Sequence, residues 1–408
     1  MILLTHPFGN ANVRAVLQTL FAAGLLERFV TTLGWSKDSY PELSDHIRGK
    51  LRRNYALPAD KIDIHPLRES IRLLATALRW RGLTRHETGW ASIDRVWSSL
   101  DQEVAKRLRK GAYGSQLNAA YAYEDCALAT FAVARDLKLH RIYDLPIAYW
   151  ETTQRLLREE AQRYPDWEAT LGATRDSPAK LARKTEELGL AELVVCPSQF
   201  VLDSLPKEKQ HKSIVAPFGT PMVESGGATR QKSTNGAMRL LFAGSLSQRK
   251  GLADLFSALK LIGSNQVELV VMGQPLRPLK WYRQYANFIY EPPRPHDEVL
   301  RLMQTCDVLV LPSIVEGRAL VQQEAMACGL PVIATKNAGA DELIIEEETG
   351  FLVPIRSPEK IAERISWFVS NRMRISGMGI AAQRRARQLT WPAYGEKILT
   401  AIRELTQQ

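Results

Sequence analysis

The stretch Leu311–Thr335, LPSIVEGRALVQQEAMACGLPVIAT, decides how this chain is read. It begins at the end of an apolar run, DVLVLPS (307–313), and passes through a loop that carries Glu316. A helical pattern follows in ALVQQEAMAC (319–328); Gly329 closes it and Pro331 stands just beyond. A second apolar run, PVIAT (331–335), comes next. Short strands with no polar face, separated by helices, predict a parallel sheet covered on both sides. Outward from this stretch the same alternation holds, with VELVVMG (267–273) read as a strand and EVLRLMQ (298–304) as a helix. The order strand, glycine-containing loop, helix occurs twice: Ile2–Leu4 with HPFGNAN and a helix from Val13, and Arg239–Gly251 with a helix in LADLFSALKLIG. Further strands of the first half are read in 28–34, 141–150 and 191–198. The polar run Ser225–Met238 has linker composition, and AYGEKILTAIRELTQQ reads as a terminal helix. The expected architecture is α/β, with Rossmann-like domains over 1–212 and 213–385, and 386–408 crossing back to the first domain.

The length of 408 residues fits two or three domains at roughly 150 residues each. Hydrophobic residues at 45% and charged residues at 24% exclude a disordered chain. Four dispersed cysteines without a CxxC pair exclude a disulfide scaffold and a cysteine-rich zinc site, and fit a reducing compartment. No apolar run reaches the ~20 residues of a membrane span, and MILLTHPFGN lacks the basic start of a signal peptide. A cytoplasmic protein is expected. The net charge of +10 points to an anionic partner: a phosphate ligand, a nucleic acid or an acidic membrane surface.

Much of that excess lies in 46–85, where ten basic residues (Arg48, Lys50, Arg52, Arg53, Lys61, Arg68, Arg72, Arg79, Arg81, Arg85) face three acids. Within it, Leu67, Ile71, Leu74 and Leu78 form a helical stripe flanked by Arg68, Arg72 and Arg79. Two readings are open: a helix packed on the core with a solvated basic face, or one resting on an anionic membrane.

Ligands of open parallel sheets bind beyond the carboxyl ends of the strands. There, the helix after Glu316 offers free N–H groups to an anion. Glu316 beside it is useful if it accepts hydrogen bonds from sugar hydroxyls; otherwise it only caps the helix. Glu324, inside the helix, is placed for ribose hydroxyls or is a solvated face residue. In GSLSQRKG (244–251), Lys250 is placed to neutralise a departing diphosphate. The loop is not a P-loop, because Gly251 follows Lys250 where Ser or Thr is required.

The string Glu316, seven residues, Glu324, then AMACGLPVI, with Gly339, Glu342-Leu343-Ile344 and Thr349–Val353 after it, resembles the retaining glycosyltransferases of family four, which have the GT-B fold. The resemblance is strong over 239–400 and rests on element order alone before that. It implies a nucleotide diphospho-sugar donor in the second domain, with no other cofactor and no metal, since no paired-aspartate loop is present. Donor contacts are implied for Gly244, Ser245, Arg249, Lys250, Gly273, Tyr290, Gly317, Arg318, Ala319, Leu320 and Glu324. Ser245 replaces the family's usual arginine, and Arg249 is the candidate to compensate. Tyr290 either stacks on the base or packs as a half-buried ring. In the first domain Gly9 and Asn10 stand where the family often has a glycine pair, and Arg14 follows on the first helical turn. His6 reads as a packed loop histidine. Where the family often has a histidine this chain offers Asp144, either a holder of a sugar hydroxyl or a turn-former before Leu145-Pro146. Glu316, Lys250 and Asp144 are therefore the catalytic candidates.

The resemblance implies transfer, with retained configuration, to a glycan or lipid-linked acceptor in polysaccharide or glycoconjugate biosynthesis. A GT-B epimerase or hydrolase of nucleotide sugars is the alternative within enzymes. From another class comes a basic nucleic-acid binder, against which stands the lack of interleaved aromatics in 46–85.

Overall fold

The computed structural model describes residues 1–36, 53–221, 236–263 and 265–407. Most of the polar run at 225–238, and Arg48, Lys50 and Arg52 of the basic segment, lie outside the described residues.

The first sheet has seven parallel strands: β1 (Ile2–Thr5), β2 (Leu26–Thr31), β5 (Ile62–Ile64), β6 (Ala119–Tyr123), β7 (His140–Asp144), β8 (Leu193–Cys196) and β9 (Ser213–Val215). Their spatial order is β5-β2-β1-β6-β7-β8-β9. The second sheet has six: β10 (Met238–Ala243), β11 (Val267–Met272), β12 (Ile289–Glu291), β13 (Val308–Leu311), β14 (Val332–Ala334) and β15 (Gly350–Leu352), in the order β12-β11-β10-β13-β14-β15. A short parallel pair, β3 (Trp35–Ser36) and β4 (Asn54–Tyr55), stands apart. Both sheets wind outward in two directions from a central pair, β1 with β6 and β10 with β13. The loops after such a pair diverge and leave a crevice at the carboxyl ends of the strands.

Local chemistry explains the elements that matter for function. β10, β11, β13 and β14 are apolar over most of their length and sit in one continuous core with Leu255, Phe256 and Met326. The helix Leu320–Ala327 ends where Gly329 takes φ +79°, a left-handed conformation that costs glycine little. The helix Leu252–Ile262 starts after Gly251 at φ +75°, and any Cβ there would collide with the Pro312 carbonyl. That contact seats the loop after β10 on the loop after β13.

Packing does not divide at 212. The helix Trp150–Arg163 leaves the first domain, and the turns after it drive Trp167 into the second core. There Trp167 packs edge-on against Phe256, Trp281 and Tyr282. A separate apolar cluster joins first-domain Ala148, Leu156, Leu157 and Leu171 to second-domain Ile314 and Val315. The last helix, Trp391–Thr406, buries Tyr394, Ile398 and Ile402 in the first core, and Gly395 lets it close onto Thr19.

The helix Leu67–Ala77 does not follow the core-packed reading. Leu67, Leu74 and Leu78 of its predicted stripe are exposed, whereas Glu69 is fully buried. Two of the three flanking arginines, Arg68 and Arg72, are also engaged, while Arg79 is exposed. Arg72 is bonded to Glu69 through Nε (2.6 Å) and Nη2 (2.7 Å), and Arg68 lies 4.4 Å over the Trp90 ring.

Candidate active site

β10 and β13 are hydrogen-bonded neighbours, so the loops that follow them meet at the switch point of the second sheet. The Arg249 carbonyl accepts from the Ile314 amide at 2.9 Å, and Arg249 Nη1 donates to the Val315 carbonyl at 3.1 Å. This brings three predicted residues into one ion cluster: Lys250 Nζ lies 2.5 Å from Glu316 Oε1, and Arg249 Nη1 is paired with the same oxygen. Burial alone pushes the Glu316 carboxyl up, but Lys250 and Arg249 outweigh it and hold it below the usual carboxylate range. Burial draws the Lys250 ammonium below its ordinary value against the pull of Glu316. Two cations, one of them buried, therefore share a single carboxylate.

Gly244 (φ +149°) and Gly273 (φ +141°) end β10 and β11 side by side, and a Cβ on Gly273 would strike the Gly244 carbonyl. Ser245 Oγ is 3.3 Å from Ser247 Oγ. Tyr290 donates to the Gly273 carbonyl at 3.1 Å, and its half-buried ring packs against the second core. Glu324 lies 3.7 Å from His296 Nδ1, and burial raises its carboxyl. Ala319 and Leu320 form the amino end of the helix that follows the Glu316 loop, and the Ala319 amide donates to the Ala338 carbonyl at 3.2 Å. Gly317 presses on the Pro146 carbonyl of the first domain, and its own carbonyl accepts from Ser198 Oγ at 2.6 Å. The carboxyl ends of the two sheets therefore face each other.

Arg318 departs from expectation. Its side chain is buried and turns away from the cluster, paired with Glu342 and donating to Gln323 Oε1 at 3.0 Å. Gln199 of the first domain donates its amide to the same Glu342 at 2.8 Å. Arg318 thus joins the domains through its side chain; only its backbone belongs to the loop.

Asp144 also differs from the reading as a holder of a sugar hydroxyl. It ends β7 next to the loop that touches Gly317, but its carboxyl is turned into the core and is 1% exposed. Tyr121 donates to it at 2.7 Å and Tyr394 of the terminal helix at 3.5 Å. Burial raises it to about 7, with the tyrosines pulling the other way. The folded protein therefore holds a proton that the unfolded chain releases near pH 4, so this group's contribution to stability falls as pH rises from about 4 to about 7. Asp144→Asn is expected to remove that slope: relative to wild type the variant gains stability across this window, on the order of 4 kcal/mol at most. Urea unfolding of both proteins at pH 5 and pH 8 measures it; parallel pH profiles would show that Asp144 is ionised in the fold.

In the first domain, His6 is buried, and its Nδ1 accepts from the amides of Phe8 (3.0 Å) and Gly9 (2.9 Å). Burial lowers it to about 3, so it is a neutral organiser of the loop, as its sequence reading has it. Gly9, at φ +60°, yields its Cβ space to Tyr55. Asn10 is exposed and begins the helix Ala11–Ala22 without a side-chain capping bond. Arg14 Nε donates to the Gly9 carbonyl at 3.0 Å.

Sequence reasoning missed what holds the cation loop. Gln248, just before Arg249, is fully buried. Its amide donates to Thr170 Oγ1 at 3.1 Å, and its side chain to Glu160 Oε2 at 2.7 Å and Asp254 Oδ2 at 2.8 Å. Arg356 and Arg163 balance those two acids. No local signal marks Glu160 or Thr170, which stand 88 and 78 residues away in sequence.

Among the described residues, His86, Glu87 and Asp176 lie close enough to share a cation. Lys180 already fills that role, with Nζ 3.0 Å from Asp176 and 2.8 Å from Asp94.

Two doubly wound domains whose sheets face each other at their carboxyl ends define the GT-B fold. Residues 229–385 match the family Glycosyl transferases group 1. An uncharacterized glycosyltransferase of Methanocaldococcus jannaschii is 26% identical over 228 residues, 53% of this chain and 60% of that protein. A D-inositol 3-phosphate glycosyltransferase of Jonesia denitrificans is 30% identical over 167 residues, 37% of this chain and 39% of that protein. The matches thus span less than two thirds of these relatives' length. In fold the chain is similar to sucrose-phosphate synthase from Thermosynechococcus elongatus, with a TM-score of 0.63, 18% identity, and 100% and 99% of the two chains covered. It is also similar to Anabaena HepE in complex with UDP, with a TM-score of 0.63, 17% identity and 99% of each chain covered.

Proposed function

We propose that this protein is a retaining glycosyltransferase that moves a sugar from a nucleotide diphospho-sugar to a glycan or lipid-linked acceptor. The observation that carries the proposal is the Arg249–Lys250–Glu316 cluster at the switch point of a group 1 domain. The donor diphosphate displaces Glu316 from the two cations, which then stabilise the leaving charge together with the amides at the start of the helix Leu320–Ala327. Glu316, released, accepts hydrogen bonds from the sugar. The departing phosphate oxygen takes the acceptor proton on the same face, so no protein base is required. Asp144, occupied by tyrosines, is not available as the acid/base group an epimerase or hydrolase would need. A structural neighbour described in complex with UDP supports the nucleotide-sugar donor.

A thermal-shift screen of UDP, GDP, ADP and their sugars tests the donor: the correct one at a hundred times its Kd adds about 2.7 kcal/mol of stability. No stabilisation by any of them sinks the reading. Because two cations and a helix terminus already supply the positive charge, turnover is expected to persist in chelator. Complete loss, restored by magnesium or manganese, would contradict this account.

We place the enzyme in the cytoplasm, on the membrane surface. Leu67, Leu74, Leu78, Trp80 and Trp90 are exposed, at 43–60% each, on one region of the first domain. Exposed Arg79, Arg81 and Arg85 accompany them, and each basic residue near an anionic bilayer contributes roughly 1 kcal/mol. The protein is expected to sediment with vesicles containing anionic lipid and not with neutral ones. The variant Leu74→Gln/Leu78→Gln/Trp80→Gln should stay in the supernatant. Wild type that ignores anionic vesicles at low salt rules this surface out.

A further inference from the structure

We propose that Arg53 and Arg72, gathered at Phe8 beside Arg14, form a subsite for a phosphate group on the acceptor. The inference rests on the first domain being the acceptor domain. Phe8 lies in the loop after β1, with the Arg53 guanidinium 5.5 Å and that of Arg72 5.7 Å from its ring centroid. Arg53 also donates to Thr32 Oγ1, just after β2, at 3.0 Å. Arg72 sits on the helix that follows β5. Arg14, one helical turn after the same loop, lies 4.5 Å over the Tyr55 ring, the ring that occupies the Cβ space of Gly9. All of these groups stand at the carboxyl edge of the first sheet, the edge that faces the cation cluster.

The arrangement is built around one buried charge. Glu69 has no exposed surface, yet it pairs with both Arg53 and Arg72. A carboxylate sealed from solvent cannot touch a ligand; it fixes the orientation of the two guanidiniums. Each guanidinium carries five N–H donors in a rigid fork. Among the described residues, the acceptors that meet them are Glu69 for both and Thr32 for Arg53. Both side chains are partly exposed, at 17% and 23%. Among the described residues, one carboxylate against two guanidiniums leaves net positive charge in a half-buried site beside the Phe8 ring. Paired guanidiniums in a fixed plane suit the several oxygens of a phosphate. The helix that supplies Glu69 and Arg72 shows its leucines to solvent on other faces. Two sources of the phosphate therefore fit: a soluble sugar or polyol phosphate, or a phospholipid head group.

The test saturates the protein with UDP, so that the donor cations are occupied, and then titrates inorganic phosphate by calorimetry. The comparison is Arg53→Gln/Glu69→Gln/Arg72→Gln, which removes the carboxylate with its partners and strands no charge. Wild type should bind phosphate, and the triple variant should bind it at least tenfold more weakly while UDP affinity stays within twofold of wild type. Preserved UDP affinity shows that the variant is folded and keeps the donor reading separate from this one. Equal phosphate affinity in the two proteins, or no phosphate binding by UDP-saturated wild type, overturns the subsite. If the triple variant loses UDP affinity, Arg53→Lys/Arg72→Lys keeps the charges and removes the forks, and unchanged phosphate binding by it overturns the subsite as well. In further arms, glucose 6-phosphate and vesicles containing phosphatidic acid replace inorganic phosphate. Binding of either that falls in the variant supports the subsite and identifies the source; binding of neither overturns its assignment to the acceptor.

Discussion

Replacing Glu316 by Gln is expected to lower turnover by about 100- to 1000-fold, the usual effect of losing one group aimed at developing charge. Binding of the nucleoside diphosphate should not fall with it. Glu316 is the counter-ion of Lys250 and Arg249, so the donor must displace it. Glutamine keeps the shape and removes the competing charge, so UDP affinity should equal or exceed that of wild type. Initial rates together with calorimetry separate the two effects. A variant that turns over at near wild-type rate would reduce Glu316 to a loop cap.

Lys250→Ala should act with the opposite sign on binding. Lys250 is desolvated and aimed at the switch point, where a charge-assisted contact contributes about 1.5–3 kcal/mol. Nucleoside diphosphate affinity should therefore fall by roughly 10- to 100-fold. Arg249→Ala should cost less, because Arg249 is the more exposed of the two, at 26% against 11%. Unchanged affinity in both variants would remove this loop from the donor site. The contrast between Glu316→Gln and Lys250→Ala is the sharper result: both lose activity, yet their affinities move in opposite directions.

The second domain was largely legible because its strands are short, apolar and separated by helices with clear stop signals. Gly263, Gly329 and Pro331 fall where the helix ends require them. The first domain was harder for a physical reason. Its central strand β6 is Ala119-Ala-Tyr-Ala-Tyr123, and alanine has little preference for strands. Between β1 and β7 all five residues are nonetheless buried, the two tyrosines included.

Local pattern by itself determined that two α/β units exist, that loops after β10 and β13 carry the charged residues, and that Leu67–Leu78 forms an amphipathic helix. These follow from periodicity and turn chemistry, which act over a few residues. Only the tertiary structure decided how the charges pair. Lys250, Arg249 and Glu316 could be named one by one, but their union depends on β10 lying next to β13. Gln248 is held by Glu160 and Thr170 because the Trp150–Arg163 helix and the turns after it cross to the other domain. Asp144 sits at a strand end, as an active-site carboxylate would, yet the returning helix brings Tyr394 onto it and closes it off. The helix Leu67–Ala77 states the same division most simply. Its stripe fixes which residues share a face, but not which face points inward. Glu69 turns inward there, held by Arg53 from the loop before β4 and by Arg72 of its own helix, while Leu67, Leu74 and Leu78 face solvent.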